Sequence, residues 1–455
     1  MDTLIYLMPV LMFLALAMLL FSGFPVAFVL GGVALGFGFL GLAADVFSFI
    51  EFFNIISRIW GGVCENLILV AVPMFIFMGT MLERSGVAND LLHCLQVLLR
   101  RVPGGLAMSV TIMGTIMAAT TGIIGASVVM MTLLALPVML DRQYHPSLAT
   151  GTIAASGTLG ILIPPSIMLV IMADLLSISV GTLFVAAVFP GLVLASLYIV
   201  YLFFRTRLNP TLAPPLPASE GPDSAAELVS MVFRSFLPPI FLIFLVLGSI
   251  FAGVATPTEA AGVGALGSII LALFNRRLRK AVLKDVVART GLTCAMIFGI
   301  FIGATAFSYV FRSLGGDDLI HAFVEHMGLG SWGILFLMMG MVFLLGFFFD
   351  WVEITLIVLP LFAPIMATLD FGTHVAAGLV IPWVAVLIAV NLQTSFLTPP
   401  FGFALFYLKG VAPPSVKIQM VYRGIIPFVA LQLVGLGFVI GFPEIALWLP
   451  SVLLD

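Results

Sequence analysis

Long apolar segments, broken at intervals by short polar or glycine- and proline-rich runs, form the pattern of this chain. Residues 4–43 are almost continuously apolar except at the run SGFP (residues 22–25), so they predict two helices joined by a tight turn. A further apolar segment, residues 66–82, ends at Glu83-Arg84. Because a helix needs about 20 mainly apolar residues to cross the hydrocarbon core of a bilayer, the pattern predicts a chain that crosses a membrane many times.

Four later apolar segments carry a break in the middle, and the breaks form two matching pairs. The segments are residues 104–141 (broken by TTGIIGAS at 120–127), 147–175 (SGTLGILIPPS at 156–166), 331–369 (GFFFD at 346–350) and 375–410 (NLQTSFLTPPFG at 391–402). Unbroken helices are predicted at residues 180–204, 230–254, 258–275, 290–311 and 422–442. An amphipathic stretch, residues 86–101 or 313–330, precedes each pair of broken segments and suits a helix in the membrane interface.

The basic residues indicate which segments cross the membrane completely. Clusters of Lys and Arg lie at residues 100–101, 142, 205–207, 276–280 and 409–423. Cytoplasmic loops are enriched in these residues, and all clusters share one face only if 104–141 is a re-entrant hairpin and 147–175 a complete, broken crossing. The same scheme predicts a periplasmic N-terminus and makes residues 331–369 a second hairpin that starts from the periplasmic face.

The chain therefore contains two copies of one unit, an amphipathic helix, a hairpin and a helix broken at Pro-Pro, in opposite orientations. Lipid offers no partner to a freed backbone N–H or C=O, so unwound backbone at membrane depth must lie inside protein or line a cavity. Broken helices at matching positions of an inverted repeat point to a transport site near the bilayer midplane. The predicted fold class is an all-α polytopic membrane protein with inverted repeats, each with a re-entrant hairpin and a broken helix.

Five parts follow from this scheme. They are residues 1–103 (N-terminal scaffold helices and an interfacial helix), 104–179 (transport repeat 1), 180–330 (scaffold helices with a polar loop at 206–228 and a second interfacial segment), 331–412 (transport repeat 2) and 413–455 (a C-terminal scaffold helix).

The predicted site residues lie at the four breaks. Freed carbonyls, Ser and Thr hydroxyls and the carboxylate of Asp350 are oxygen ligands suited to a small cation, and the N-terminal ends of half-helices can face an anionic solute. For the solute we predict Thr121, Gly125, Ser127, Ser156, Gly157, Asp350, Gln393 and Thr394. For the cation we predict Gly122, Ser127, Ser156, Thr158, Gly160, Gly346, Asp350, Thr394, Thr398 and Gly402. Glu353 is either part of this site or a buried partner, whereas Glu259 in the run TPTE is predicted to cap a helix.

Composition argues against other classes of protein. The chain is 62% hydrophobic and 9% charged, against about 25% charged residues in soluble domains, so too few charges exist to cover a soluble surface. The sequence has no GxxxxGK[ST] loop for ATP. An intramembrane enzyme would need paired Asp residues or a His/Glu metal constellation within the spans, but the five histidines fall near helix ends. We therefore predict that the protein is not an enzyme, and nothing indicates a nucleic-acid partner.

The strings TGIIGAS, SGTLGILIPPSI, ATPTEAAGVGA and LTPPFG resemble the large permease subunit of tripartite ATP-independent periplasmic (TRAP) transporters, the DctM-like group of the ion transporter superfamily. The resemblance covers essentially the whole chain. It implies import of a carboxylated solute driven by sodium, so that sodium is the coupling ion and no cofactor is needed. It also implies two partners, a small four-helix membrane subunit and a periplasmic substrate-binding protein. In addition, it implies an elevator-type movement of a transport domain against a scaffold.

The prediction is thus a multi-pass subunit of the bacterial inner membrane that imports an organic anion, such as a C4-dicarboxylate or a 2-oxo or hydroxy acid. An ion channel with the hairpins as its filter, or a proton-coupled transporter, could use the same broken helices.

Overall fold

A computed structural model of the chain describes residues 2–121, 124–216, 224–399 and 402–453, and these residues form helices without any β-strand. The α-helices are α1 (Asp2–Phe21), α2 (Val26–Ala43), α3 (Phe49–Ile59), α4 (Ala71–Arg84), α5 (Val87–Leu98), α6 (Gly105–Thr121), α7 (Ile124–Asp141), α8 (Pro146–Thr158), α9 (Ile167–Leu175), α10 (Val180–Leu208), α11 (Ala225–Met231), α12 (Leu237–Phe251), α13 (Pro257–Phe274), α14 (Lys280–Ser313), α15 (Gly316–Met327), α16 (Ser331–Leu345), α17 (Trp351–Met366), α18 (Val380–Leu397), α19 (Phe403–Val411), α20 (Ile418–Gly441) and α21 (Glu444–Leu453). Within the described ranges, eight helices are long and apolar enough to cross a membrane. The predicted all-α polytopic class is confirmed.

The predicted turn between the first two helices is present, and its sequence explains it. Gly23 has φ +83°, a left-handed conformation that side chains with a Cβ disfavour, and Pro25 directly precedes α2. The capping interaction predicted for Glu259 is also present. Its carboxylate accepts from the Thr256 amide at 2.8 Å, and its own amide donates to the Thr256 hydroxyl at 3.3 Å.

Three elements differ from the sequence prediction. Helix α3 and the π-helical turn that follows it (Trp60–Cys64) were not predicted. They precede the predicted span at 66–82 and are bent from it by 56°. Ser48 and Glu51 form a capping box before α3, a sequence signal for a helix start that the prediction did not use. Helix α14 begins at Lys280 rather than at 290. Its charged first turns extend beyond the apolar segment and are tied to α4 by an Arg84–Asp285 ion pair of 2.9 Å. Helix α21 lies after the last predicted span.

Residues 104–141 form the predicted hairpin, whose two helices α6 and α7 contact each other. Both of its ends are held by neighbouring carbonyls of one short segment after α10. The Gly104 amide donates to Ala213 at 3.0 Å, and the His145 amide donates to Leu212 at 2.8 Å. The hairpin therefore enters and leaves at the same face of the molecule. The Thr206 hydroxyl donates to Pro103 at 2.8 Å, so the basic end of α10 lies at this face as well.

The second hairpin, α16 and α17, opens at the opposite face. Its ends are joined by a 3.0 Å hydrogen bond from the Asp370 amide to the Ser331 hydroxyl. Helix α20 runs between the two faces. Near its start a Cβ atom on Gly424 would lie 2.1 Å from the Ser147 carbonyl oxygen, and near its end the Ile440 carbonyl is 2.8 Å from His374 Nε2. The predicted inverted orientation of the two hairpins is therefore confirmed.

One hydrogen bond recurs in both repeats and supports the alignment of their Pro-Pro breaks, which matches Ser156 with Asn391. The Ser156 hydroxyl on α8 donates to Thr111 Oγ1 on α6 at 3.2 Å. The Asn391 amide on α18 donates to the Met339 carbonyl on α16 at 2.7 Å. In each repeat, the residue at this matching position of the broken helix is therefore hydrogen-bonded to the first helix of its own hairpin.

The remaining helices form two groups by their contacts. Helices α2, α4, α13 and α14, all within the parts predicted to be scaffold, form one group of packed helices. Helices α10 and α20 pack mainly against α8, α18 and α21, although the five-part division placed both with the scaffold. The division into scaffold and transport parts itself remains a prediction.

The two faces can be identified with thiol reagents that do not cross membranes. We expect single cysteines at Gln143 and Arg279 to react from the cytoplasmic side, and those at Asp318 and Thr373 from the periplasmic side, because the basic clusters lie with the first pair. All four positions are exposed. Labelling of position 143 from the periplasm would contradict the orientation.

The contact between α8 and α20 depends on two glycines. A Cβ on Gly151 would lie 2.2 Å from the Gly424 carbonyl oxygen, so the two backbones touch. We expect Gly424→Ala to lower the free energy of unfolding by about 1–3 kcal/mol, as overpacking does elsewhere. Gly437→Ala in the same helix is the matched control, since no atom lies within 4 Å of its Cβ position. Equal thermal melting of the two purified variants would contradict the close contact.

Candidate transport site

The first hairpin brings its tip to the broken helix of the other repeat. A Cβ atom on Gly125, at the start of α7, would lie 3.0 Å from Cζ of Tyr407 on α19. Ser127, half a turn further along α7, is buried. Two predicted site residues at this tip, the side chain of Thr121 and the whole of Gly122, lie outside the described part of the chain.

The break after α8 is buried and closely packed. Ser156, Thr158 and Gly160 are fully buried, and a Cβ on Gly157 would lie 2.4 Å from Val128 of α7. The Thr158 hydroxyl donates to the Ala155 carbonyl at 2.9 Å, so its oxygen lone pairs remain available. The predicted residues of this break thus lie together along α8 and the short 3₁₀ turn that follows it.

The second hairpin turns at Gly346 and Asp350. A Cβ on Gly346 would lie 2.0 Å from the Cβ of Ser395, so this tip touches α18 directly. Asp350 caps α17, and its Oδ1 accepts from the Trp351 amide at 2.8 Å. Glu353 returns the interaction, since its carboxylate accepts from the Asp350 amide at 2.9 Å. Glu353 is thus a partner in the capping box of α17, and a role in the transport site stays a prediction.

The last two turns of α18, just before the second Pro-Pro break, contain polar side chains that the fold leaves without partners among the described residues. Gln393 and Thr394 are fully buried, and within the described residues neither the Gln393 amide atoms nor the Thr394 hydroxyl has a hydrogen bond. The Thr398 hydroxyl donates to the Thr394 carbonyl at 2.7 Å. Gly402 begins α19 with φ +45°, a conformation that favours glycine.

Tyr407 is a site residue that the sequence analysis missed. It faces Gly125 of the first hairpin, and it also interacts electrostatically with Asp350 and Glu353 of the second. One side chain on α19 therefore lies near both hairpin tips. A single tyrosine in an apolar helix carries no signal of its own, and only its position just beyond the break FLTPPFG could have indicated it.

The hairpins and broken helices interlock across the repeats. Helix α7 packs against α8 of its own repeat and α19 of the other, while α17 packs against α18 and α9. Among the described residues, no group of three or more His, Cys, Asp or Glu side chains could hold a metal ion. A cation bound here would depend on carbonyl and hydroxyl oxygens with one or two carboxylates, which are hard ligands. Such breaks also provide helix ends for an anion.

Inverted repeats, two hairpins from opposite faces and a buried polar centre between broken helices define a secondary transporter. The family model of the tripartite ATP-independent periplasmic transporter, DctM component, matches residues 13–445, and the chain belongs to this family. It is therefore a TRAP large permease subunit, a multi-pass membrane protein and not an enzyme.

Individual relatives cover nearly the whole chain. The C4-dicarboxylate TRAP transporter large permease protein DctM of Pseudomonas aeruginosa is 30% identical over 85% of this chain and 87% of its own length. The ectoine/5-hydroxyectoine protein UehC of Ruegeria pomeroyi is 30% identical over 96% of this chain and 97% of its own. The sialic acid protein SiaM of Vibrio cholerae is 27% identical over 96% and 97%.

A similar fold occurs in the crystal structure of the YdaH transporter of Alcanivorax borkumensis. The TM-score is 0.60 over 86% of this chain and 87% of that chain, at 14% sequence identity. At this identity the likeness concerns the fold alone.

Two substitutions at Asp350 can distinguish the effect of its negative charge from the effect of its N-cap hydrogen bond. Asn is as good an N-cap as Asp, so we expect Asp350→Asn to melt at the temperature of the parent protein, whereas Asp350→Ala loses the cap and about 1 kcal/mol of stability. Thermal unfolding of the purified variants measures both. Equal destabilisation by Asn and Ala would mean that α17 depends on the charge rather than on the cap.

Proposed function

We propose that this chain is the translocating subunit of a sodium-coupled transporter that imports a small organic anion, a carboxylate such as a C4-dicarboxylate or a 2-oxo or hydroxy acid. The observation that carries the proposal is the pair Gln393 and Thr394, which are buried in the last turns of α18 beside a helix break and without partners in the described part of the chain. An unpaired buried polar group costs about 1–3 kcal/mol. A site that binds an ion or a polar solute offsets this cost when occupied.

Sodium coupling is supported by the type of ligand available. The breaks offer backbone carbonyls, the hydroxyls of Thr158 and Thr398 and the carboxylate of Asp350, all of them oxygen. The family is described as ATP-independent, which is consistent with an ion gradient as the source of free energy for accumulation. The two breaks are related by the inverted repeat, which favours two cation sites.

The solute class rests on the family and on local charge. Relatives are named for C4-dicarboxylate, ectoine and sialic acid, which carry a carboxyl group, and for isethionate, a sulfonate, so small solutes with an acidic group are common to these relatives. The helix ends at the hairpin tips supply partial positive charge that can face such a group. We expect the solute and the cations to bind together near Tyr407, where both tips lie.

Partners and movement follow from the same assignment. The family is tripartite, and we propose that this chain assembles with a small four-helix membrane subunit and receives its solute from a periplasmic binding protein, with its own N-terminus in the periplasm. The hairpins and broken helices move as one unit against α2, α4, α13 and α14. Their packing suggests that α10 and α20 move with that unit.

The test is uptake of radiolabelled succinate and pyruvate into proteoliposomes that contain the complete transporter and its binding protein. We expect uptake to require sodium and to depend on it sigmoidally. Thr158→Val and Thr398→Val each remove one ligand oxygen, worth about 1 kcal/mol, and should raise the sodium concentration for half-maximal uptake about fivefold.

Thr80→Val is the matched control, because the Thr80 hydroxyl makes the same type of bond to a helical carbonyl, Ile76, at 2.8 Å in the scaffold helix α4. A hyperbolic sodium curve that neither substitution moves would remove the two-site proposal. Uptake driven by a pH gradient without sodium would identify a proton-coupled transporter, and ion currents without saturation would identify a channel.

A further inference from the structure

A cavity lies away from the hairpin tips, between the proposed scaffold and the second hairpin. It has a volume of 390 Å³ and is lined by residues of α3, α9, α14 and α17. Among the described residues, its charged lining side chains are Arg58 and Arg312, and no carboxylate belongs to the lining. Ser308 and Tyr309 of α14 add hydroxyl groups to the same wall.

Arg312 bridges the scaffold and the hairpin through a carbonyl that proline leaves free. In a helix the Pro360 carbonyl would accept from the amide of residue 364, but residue 364 is a proline and has no N–H. Arg312 Nη2 donates to this carbonyl instead, at 2.5 Å. The other side of the guanidinium is only weakly paired, with Nε 3.7 Å from Asp317 Oδ2.

Arg58 faces the same cavity from the last turn of α3. Helix α3 is fixed against α14 by a hydrogen bond of 3.1 Å from the Asn54 amide to the Tyr309 hydroxyl oxygen, which leaves the hydroxyl proton of Tyr309 available. Among the described residues, no carboxylate lies within ion-pair distance of Arg58. An arginine without a counter-ion beside hydroxyl donors is a typical binding environment for a carboxylate.

We propose that this cavity is an anion-binding site for the carboxylated solute, occupied before the solute reaches the hairpin tips. Arg58 binds the carboxylate, while Ser308 and Tyr309 donate to it. Arg312 exchanges the Pro360 carbonyl for the anion, so that arrival of the solute releases the second hairpin from the scaffold. The cavity lies at the ends of α9, α14 and α17, opposite the basic clusters, and hence on the proposed periplasmic side.

This inference rests on the proposed function for the identity of the anion, but its test reads the local potential and not transport. In a protein with Cys64, Cys94 and Cys294 replaced by serine, Ser308→Cys is labelled with two methanethiosulfonates, one with a sulfonate and one with a trimethylammonium group. Thr373→Cys, exposed on the same face, is the reference. We expect the ratio of anionic to cationic labelling rates to be about fivefold higher at position 308, because two positive charges lie beside it.

Arg58→Gln should return the ratio to that of position 373, and Arg58→Lys should preserve it. Arg289→Gln, near the other end of α14, is the matched control and should change nothing. Succinate or pyruvate should slow the labelling of position 308 at least threefold. The proposal is wrong if the ratio equals that of position 373, if Arg58→Gln leaves it unchanged, or if neither carboxylate protects.

Ser313→Cys, in the lining of the same cavity, is labelled in parallel in case a cysteine at position 308 does not react. If neither position reacts, the cavity is closed to aqueous anions and the proposal is also wrong. A failure of sodium-dependent uptake with a positive labelling result would overturn the proposed function and leave the anion site intact.

Discussion

The structure depends on one constraint, that a backbone group freed inside a membrane must find a partner within the protein. At each break in the helical bundle, different side chains supply the missing hydrogen-bond partners. The Ser166 hydroxyl donates to the Ile161 carbonyl at 2.6 Å where the first broken helix unwinds. At the second hairpin, Asp350 and Glu353 satisfy amides at the start of α17. Where Pro364 removes a donor, Arg312 supplies one from another helix.

Some buried side chains are not satisfied in this way, and the pair beside the second Pro-Pro break is the one that lies at the candidate site. Gln393 and Thr394 remain unpaired among the described residues although both are fully buried. They lie two and three residues after Asn391, whose amide is paired with Met339 as Ser156 is paired with Thr111 in the other repeat. The symmetric positions thus join each broken helix to the hairpin of its own repeat, and the unpaired positions near Asn391 are available to a ligand.

Much of this architecture could be predicted from the sequence, since apolar length, Pro-Pro breaks and the basic clusters are local or additive signals. The hairpin at 104–141 followed from charge alone, and its ends do meet at Leu212 and Ala213. Contacts between repeats could not be predicted in this way. The approach of Tyr407 to Gly125 joins residues about 280 positions apart through packing of an apolar helix, for which a single sequence has no periodic or chemical signal. The pairing of Arg312 with Pro360 is hidden for the same reason.

Helix α20 has a mechanical consequence for the whole molecule. Its backbone touches α8 at Gly151, and its far end accepts hydrogen bonds from Trp383 at the start of α18 and meets His374 beside the second hairpin. At the glycines the two backbones touch with no side chains between them, so α20 can move little relative to α8. The helix therefore connects the two broken helices rigidly. A displacement of either broken helix would be passed to the other through this backbone contact, and the two halves of the candidate site would keep their spacing.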